Sequence, residues 1–172
     1  MNMAEFRKAQ PADLPDIMDV VHQAQAFMAT LGIDQWQDGY PSKQQIAADI
    51  AAGQSYVCDD GCSVLSTTYL TADPEPIYDA LDGEWHTCEP YLTIHRMALG
   101  DASRHSGLAK FILENAISIA KEQNLCGIRV DTHRGNKAMR RFLEKNGFRE
   151  CGLVEYEVDA GDPIRVAYDL TL

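Results

Sequence analysis

Apolar residues recur at helical spacing near the start of the chain. Leu14, Ile17, Met18, Val21, Ala24, Met28 and Leu31 fall on one stripe. Asp13 precedes the stripe as an N-cap, Asp16 adds negative charge to the first turn, and Gly32 follows it, so a helix is predicted over 13–31. Ser42 and Gln45 have the spacing of a capping box and open a second helix that Gly53 closes. Leu108, Phe111, Ile112, Ala116, Ile119 and Ala120 give the buried side of a third helix over 107–123, and a fourth runs from Asn136 to Asn146, ended by Gly147. Shorter apolar or alternating runs at 6–9, 55–59, 62–70, 91–99, 126–131, 148–158 and 164–170 predict seven strands. In the last of these Ile164, Val166, Tyr168 and Leu170 alternate cleanly. Asp59-Asp60-Gly61 predicts a hairpin turn, and Asp159 to Pro163 turns between the final two strands. Thr71 to Pro90 reads as a long loop with three prolines and a short helical turn around Tyr78. The order is strand, two helices, three strands, helix, strand, helix, two strands. No repeat or linker interrupts it, so residues 1–172 are expected to form one α+β or α/β domain, with a right-handed parallel crossover from Tyr91 to Asp131.

Composition narrows the function classes. A chain of 172 residues, 45% apolar, can bury a core without a disulfide or metal staple. No apolar run approaches the ~20 residues of a membrane span, and no basic stretch followed by an apolar one opens the chain, so neither a membrane protein nor a secretory leader is expected. The five cysteines are odd in number, contain no CxxC pair, and lie near no His pair at ligand spacing. Reduced thiols, a cytoplasmic location and no metal are the expectation. The net charge of −11 argues against a general nucleic-acid binder. The charge is uneven, because His95 to Glu150 holds 11 Lys/Arg against 6 Asp/Glu while the rest of the chain holds 4 against 20.

The most informative segment is Leu99-Gly-Asp-Ala-Ser-Arg-His-Ser-Gly-Leu-Ala109. A strand ends, a polar loop follows, and a helix opens at Gly107. Unpaired N–H groups and the helix macrodipole favour an anion at such a place, and a glycine permits close approach. An ordinary strand–helix connection is the competing interpretation. No Gly-Lys-Ser/Thr P-loop and no dinucleotide GxGxxG is present.

With Arg104-His105-Ser106-Gly107-Leu108-Ala109 between a strand and a helix, and Asn136 opening a helix that ends in Gly147-Phe148, the chain resembles the GNAT superfamily of acyl-CoA-dependent N-acetyltransferases. The likeness spans almost the whole chain. It implies a mixed, mostly antiparallel sheet of about seven strands with a central parallel pair that splays apart, flanked by four helices. It implies acetyl-CoA as co-substrate. The main-chain amides of Arg104, His105, Ser106, Gly107, Leu108 and Ala109 would hold the pyrophosphate, and Met97, Ala98 and Leu99 would pair with pantetheine. Asn136 and Phe142 would line the arm, and Arg104, Lys110, Arg134, Lys137, Arg140 and Arg141 would be available to phosphate. Asn136 as a simple helix cap is the other interpretation, and both roles can hold together.

The implied reaction is direct attack of a primary amine, on a small molecule or a peptide, on the thioester, which calls for a base, oxyanion donors and an acid. The two-residue period puts Thr93, His95, Met97 and Leu99 on one face, and His95 is the first candidate base with His133 second. A packed histidine is the alternative for His95. Many family members carry an acidic Tyr seven residues after the Asn, where this chain has Leu143. Tyr156, Tyr91 or water would have to substitute. Trp36, Tyr40 and the 71–90 loop with Tyr78 and Trp85 are candidates for the acceptor site, although either Trp can serve packing alone. The excess of carboxylates outside 95–150 favours a cationic acceptor such as a polyamine, an aminoglycoside or an exposed peptide amine. A non-catalytic acyl-CoA sensor is the second hypothesis and a Cys or Ser hydrolase a weaker third. No nucleic-acid or membrane partner is expected, and a homodimer is left open.

Overall fold

The computed structural model describes residues 4–158 and 161–172. Residues 159 and 160 of the expected 159–163 turn, and residues 1–3 of the opening segment, lie outside the described residues. The elements follow the expected order: β1 (Glu5–Lys8), α1 (Leu14–Thr30), α2 (Lys43–Ala51), β2 (Ser55–Asp59), β3 (Val64–Thr71), β4 (Asp82–Gly83), β5 (Tyr91–Leu99), α3 (Leu108–Glu122), β6 (Gly127–His133), α4 (Lys137–Lys145), β7 (Arg149–Glu155) and β8 (Ile164–Thr171). Among the described residues no helix is long and apolar enough to cross a membrane. Short 3₁₀ turns cover Pro11–Asp13, Pro76–Ala80 and Asp101–Ser103, the second of them the turn expected at Tyr78.

One sheet of eight strands runs in the order β1-β2-β3-β5-β6-β8-β7-β4, antiparallel except for β5 beside β6. The sequence pattern predicts seven strands, and the additional β4 has only two residues. Its signal is steric rather than apolar. Gly83 lies opposite Gly152, and a Cβ on Gly83 would stand 2.0 Å from the Cys151 carbonyl oxygen, so only a bare backbone fits there.

The two faces of the sheet carry separate clusters. Leu92, Ile94, Ile128, Val130 and Tyr168 pack under Leu113, Ala116, Ala120 and Leu143 of α3 and α4. Ile17, Val21, Ile46 and Ile50 of α1 and α2 cover Val57. Each such fully buried side chain contributes of order 1.5–3 kcal/mol of transfer free energy. Ser42 caps α2 by accepting the Gln45 N–H at 3.1 Å, but the Gln45 side chain turns to Asp49 rather than closing the box. Asp13 does not cap α1 with its side chain; it accepts the Gln10 N–H at 2.7 Å and pairs with Arg7 at 2.8 Å.

The feature that positions the site is the parting of β5 from β6. Their parallel register runs from Tyr91–Gly127 to Ile94–Val130 and stops. Beyond it β6 continues against β8 to His133, and β5 continues against β3 to Leu99. The β3–β5 register shifts between Thr67 and Tyr69, opposite Arg96, whose φ is +49°. This bulge overturns the expectation that Thr93, His95, Met97 and Leu99 share a face. Met97 and Leu99 pack on the α3 side with Leu108 and Ile112, whereas His95 lies beside Tyr69 and Tyr78 on the opposite side. One extra residue reverses the alternation after it.

Candidate active site

The bulge is held from outside the sheet. Arg96 makes a two-pronged pair with Asp49 of α2, Nε to Oδ2 and Nη2 to Oδ1, both at 2.9 Å. Its third nitrogen donates to the Tyr40 hydroxyl at 2.8 Å, and its guanidinium stacks 4.1 Å from the Tyr69 ring. Burial lowers the Arg96 pKa, but the phenol of Tyr40 and the carboxylate of Asp49 outweigh it and hold the cation firmly charged.

On the far side of the cleft, the loop after β5 leads into α3. Gly107 is its N-cap with φ +87°, and a Cβ there would meet nothing within 4 Å. Among the described residues the N–H groups of His105, Gly107 and Ala109 have no protein acceptor. Arg104 and Ser106 spend theirs on the local turn, at 3.4 and 3.3 Å, and Leu108 makes a long contact of 3.3 Å to the Ser106 hydroxyl. Three free amides at a left-handed glycine and a helix N-terminus are donors available to an anion.

The basic residues divide in two. Arg104 is committed to Asp101, the Gln23 carbonyl and the Phe27 ring. Arg134 is held by Asp162, and Arg140 by Tyr168 and Glu150. Lys110 reaches only Glu114, at 3.8 Å, and among the described residues Lys137 and Arg141 have no partner. Asn136 caps α4 through Oδ1 to the Met139 N–H at 3.1 Å, which leaves its amide nitrogen unpaired. Phe142 is half-buried against the α3–α4 core, and Leu143 is buried within it, so α4 presents no proton donor from that position.

His95 is the centre of a polar cluster. Its Nε2 is 2.9 Å from Glu75 Oε2 and its Nδ1 is 4.0 Å from Asp131 Oδ2. A carboxylate only accepts, so Nε2 carries a hydrogen, and in the neutral ring Nδ1 holds the lone pair. The His95 hydrogen bond holds the Glu75 carboxyl below its ordinary range despite burial. Asp131 Oδ2 accepts from Tyr78 at 2.8 Å and from Tyr156 at 2.9 Å. Burial, reinforced by the Asp131 charge, drives both phenols well above their usual range, so they keep their protons.

His133 is differently placed. Its Nδ1 accepts the Gly135 N–H at 2.9 Å and its Nε2 donates to Asp34 at 2.9 Å, so both ring nitrogens are engaged. Trp36 and Tyr40 meet edge to face at 6.5 Å in the α1–α2 connector. Trp85 does not join them. It packs on Tyr78 at 4.9 Å, donates to the Tyr78 carbonyl, and lies under the Arg129 guanidinium. Glu75 and Asp131 had no signal in the sequence, because they lie 20 and 36 positions from His95 and carry no common motif, and Tyr78 stood out only through the 71–90 loop, not as a partner of Asp131.

The profile of the Acetyltransferase (GNAT) family matches residues 22–148. A search of curated proteins returns no significant match. Among solved structures, a GNAT-family acetyltransferase from Streptococcus agalactiae is 32% identical, with a TM-score of 0.86 over 98% of this chain and 95% of that one. The PaiA N-acetyltransferase of Thermoplasma acidophilum, solved with coenzyme A, superposes with a TM-score of 0.73 at 18% identity over 99% of both chains. The ribosomal-protein-S18-alanine N-acetyltransferase of Escherichia coli does so at 0.70 and 15% identity, over 98% of this chain and 94% of that one. The parted parallel strands, the glycine-capped donor loop and these matches agree, and the chain belongs to the GNAT acetyltransferase family.

Proposed function

We propose that the protein transfers an acetyl group from acetyl-CoA to a cationic primary amine, with His95 as general base. The observation that carries this reading is the Glu75–His95 pair beside Asp131, set on the face of β5 that opens where β6 departs. Acetyl-CoA supplies the activated thioester. The free amides of His105, Gly107 and Ala109 suit its pyrophosphate, the open space at Gly107 allows it to come close, and Lys110, Lys137 and Arg141 are the uncommitted cations for the remaining phosphate. Leu99, Ala98 and Met97 offer main-chain groups along the edge from which β6 has withdrawn. In the same reading Asn136, whose amide nitrogen is unpaired, and the half-buried Phe142 would line the pantetheine arm.

An amine enters protonated. The 4.0 Å between His95 Nδ1 and Asp131 Oδ2 leaves an ammonium able to donate to both. His95 Nδ1 takes a proton, Glu75 steadies the resulting imidazolium through Nε2, and Asp131 holds the nitrogen in place. Glu75 and Asp131 make the surroundings of His95 acidic, which favours a polyamine or an exposed peptide amine over an anionic acceptor. Tyr40 and Trp36 supply an aromatic edge beside Arg96 for the acceptor's apolar part. His133, with both nitrogens engaged, positions the connector rather than moving protons. Tyr156, the candidate acid, keeps its proton in a hydrogen bond to Asp131, so in this reading the departing thiolate takes its proton from water. The reading also takes the domain to act in the cytoplasm.

Release of free thiol from acetyl-CoA in the presence of a panel of amines tests this. Turnover with polyamines or peptide amines, lost in His95→Ala, is the expected result. The buried Leu143 favours a second reading, a CoA-binding sensor without transfer. Tight CoA binding with no turnover across the panel would select it.

A further inference from the structure

We propose that His86, Cys151 and Asp169 form a site for a zinc-class divalent cation, away from the cleft. His86 Nδ1 stands 3.0 Å from Asp169 Oδ1 and 3.4 Å from Cys151 Sγ, and the three donor atoms all lie within 4.8 Å of one another. A tetrahedral zinc with bonds of ~2.0 Å to nitrogen or oxygen and ~2.3 Å to sulfur sets adjacent donors roughly 3.3–3.6 Å apart. The imidazole–carboxylate and imidazole–sulfur spacings lie within a few tenths of an ångström of this, and the sulfur–carboxylate pair, no farther apart than 4.8 Å, closes through a rotation of the Cys151 side chain. One imidazole, one thiolate and one carboxylate are the donor types of zinc rather than of magnesium or calcium, and three protein ligands leave a fourth position for water.

The arrangement is built from three separated segments. Asp169 comes from β8, with no solvent exposure. Its Oδ2 accepts the main-chain N–H groups of His86 at 2.6 Å and Thr87 at 2.8 Å, which fixes the carboxylate and leaves Oδ1 turned to the imidazole. Cys151 is the unpaired residue of the β7 bulge, where the register skips from Glu150 to Gly152. His86 follows the β4 pairing that the glycine pair permits, and Glu84 N–H binds the Cys151 carbonyl at 2.9 Å. The His86 side chain is one-third exposed and gives the cation an entry path.

Charge points the same way. Burial alone would raise the Asp169 pKa, but the N–H of Thr87 and the groups of His86 outweigh it, so the carboxylate is ionised. Among the described residues no Lys or Arg pairs with it. Arg129 lies opposite in register, yet its nitrogens go to Thr87 Oγ1 and the Thr87 carbonyl. Burial first, then the Asp169 carboxylate, pushes the Cys151 thiol up to about 12. A divalent cation between the three would satisfy the anion and take the sulfur as thiolate, the thiol proton passing to water and the Nδ1 hydrogen giving way to one on Nε2. The site would clamp the segment carrying Trp85, whose indole holds the Tyr78 carbonyl at 3.1 Å.

Chelator-stripped protein titrated with Zn(II), and separately with Co(II), tests the site. One Zn(II) per chain, a thiolate-to-cobalt charge-transfer absorption, and a higher thermal midpoint with Zn(II) are expected. Cys151→Ser should abolish the absorption, and His86→Ala, on an exposed side chain that the fold tolerates, should weaken Zn(II) at least tenfold. Cys62→Ser, at an exposed turn, should change neither. Absence of stoichiometric uptake, or uptake unaltered in His86→Ala, would overturn the proposal whether or not Cys151→Ser folds.

Discussion

His95 and Cys151 show how neighbours decide what a side chain can do. Glu75 fixes the His95 tautomer, so Nδ1 is the one lone pair of the ring turned away from a carboxylate hydrogen bond. His95→Ala should lower kcat by about 10²-fold or more, the usual weight of a general base, while acetyl-CoA affinity stays within about twofold. Glu75→Gln should lower kcat by a smaller factor, because the amide still positions the ring but no longer offsets its charge; steady-state kinetics check both. For Cys151 the outcome is inertness. A thiol whose pKa is about 12 carries almost no thiolate at neutral pH. Iodoacetamide at pH 8, followed by peptide mass mapping, should label the exposed Cys62 and Cys88 long before Cys151 when no metal is present.

At the scale of elements, the β5 bulge is where the fold is most dependent on a single pair. Arg96 and Asp49 are both nearly withdrawn from water. Arg96→Ala would strand the Asp49 carboxylate and should cost roughly 3–5 kcal/mol in urea unfolding, well above a surface substitution. The same bulge explains what could and could not be read from sequence. The amphipathic stripes of α1 and α3 and the glycine-opened loop before α3 are local patterns, and each is found where the pattern puts it, whereas the alternation of β8 locates the strand but not its surroundings, because Arg165, Ala167 and Asp169 between its apolar residues are buried as well. The reversal after Arg96 is not local, because it depends on Asp49 and Tyr40 reaching across from other segments. β4 is likewise invisible to a search for apolar runs, being made by two bare glycine backbones meeting. In the candidate site, the donor loop and His95 come from motif and strand position, whereas Glu75, Tyr78 and Asp131 meet only once the 71–90 loop folds over the sheet. The length of that loop carries no instruction about where Glu75 lands.

For the whole molecule, charge sets the response to acid. Asp13, held low by the Arg7 guanidinium, Glu75, held low by His95, and Asp169, held low by main-chain N–H groups against its burial, all have folded pKa values below their unfolded ones. Each therefore adds stability that is fully present above its unfolded value and is lost as pH falls through the lower folded value. Unfolding midpoints in urea should hold between pH 7 and about 5, then fall steeply below about pH 4. Uncommitted cations lie at α3 and α4 and carboxylates on the His95 side, so under the proposed function charge would separate the two substrates. That division rests on one claim, that main-chain amides at the opening of α3 grip a diphosphate beside the parted strands. Amide-resolved NMR during titration with coenzyme A tests it without altering a residue. The account predicts that the largest shifts fall on the amides of His105, Gly107 and Ala109 and on the end of β5 at 97–99. Saturating binding that leaves those amides unmoved would contradict it.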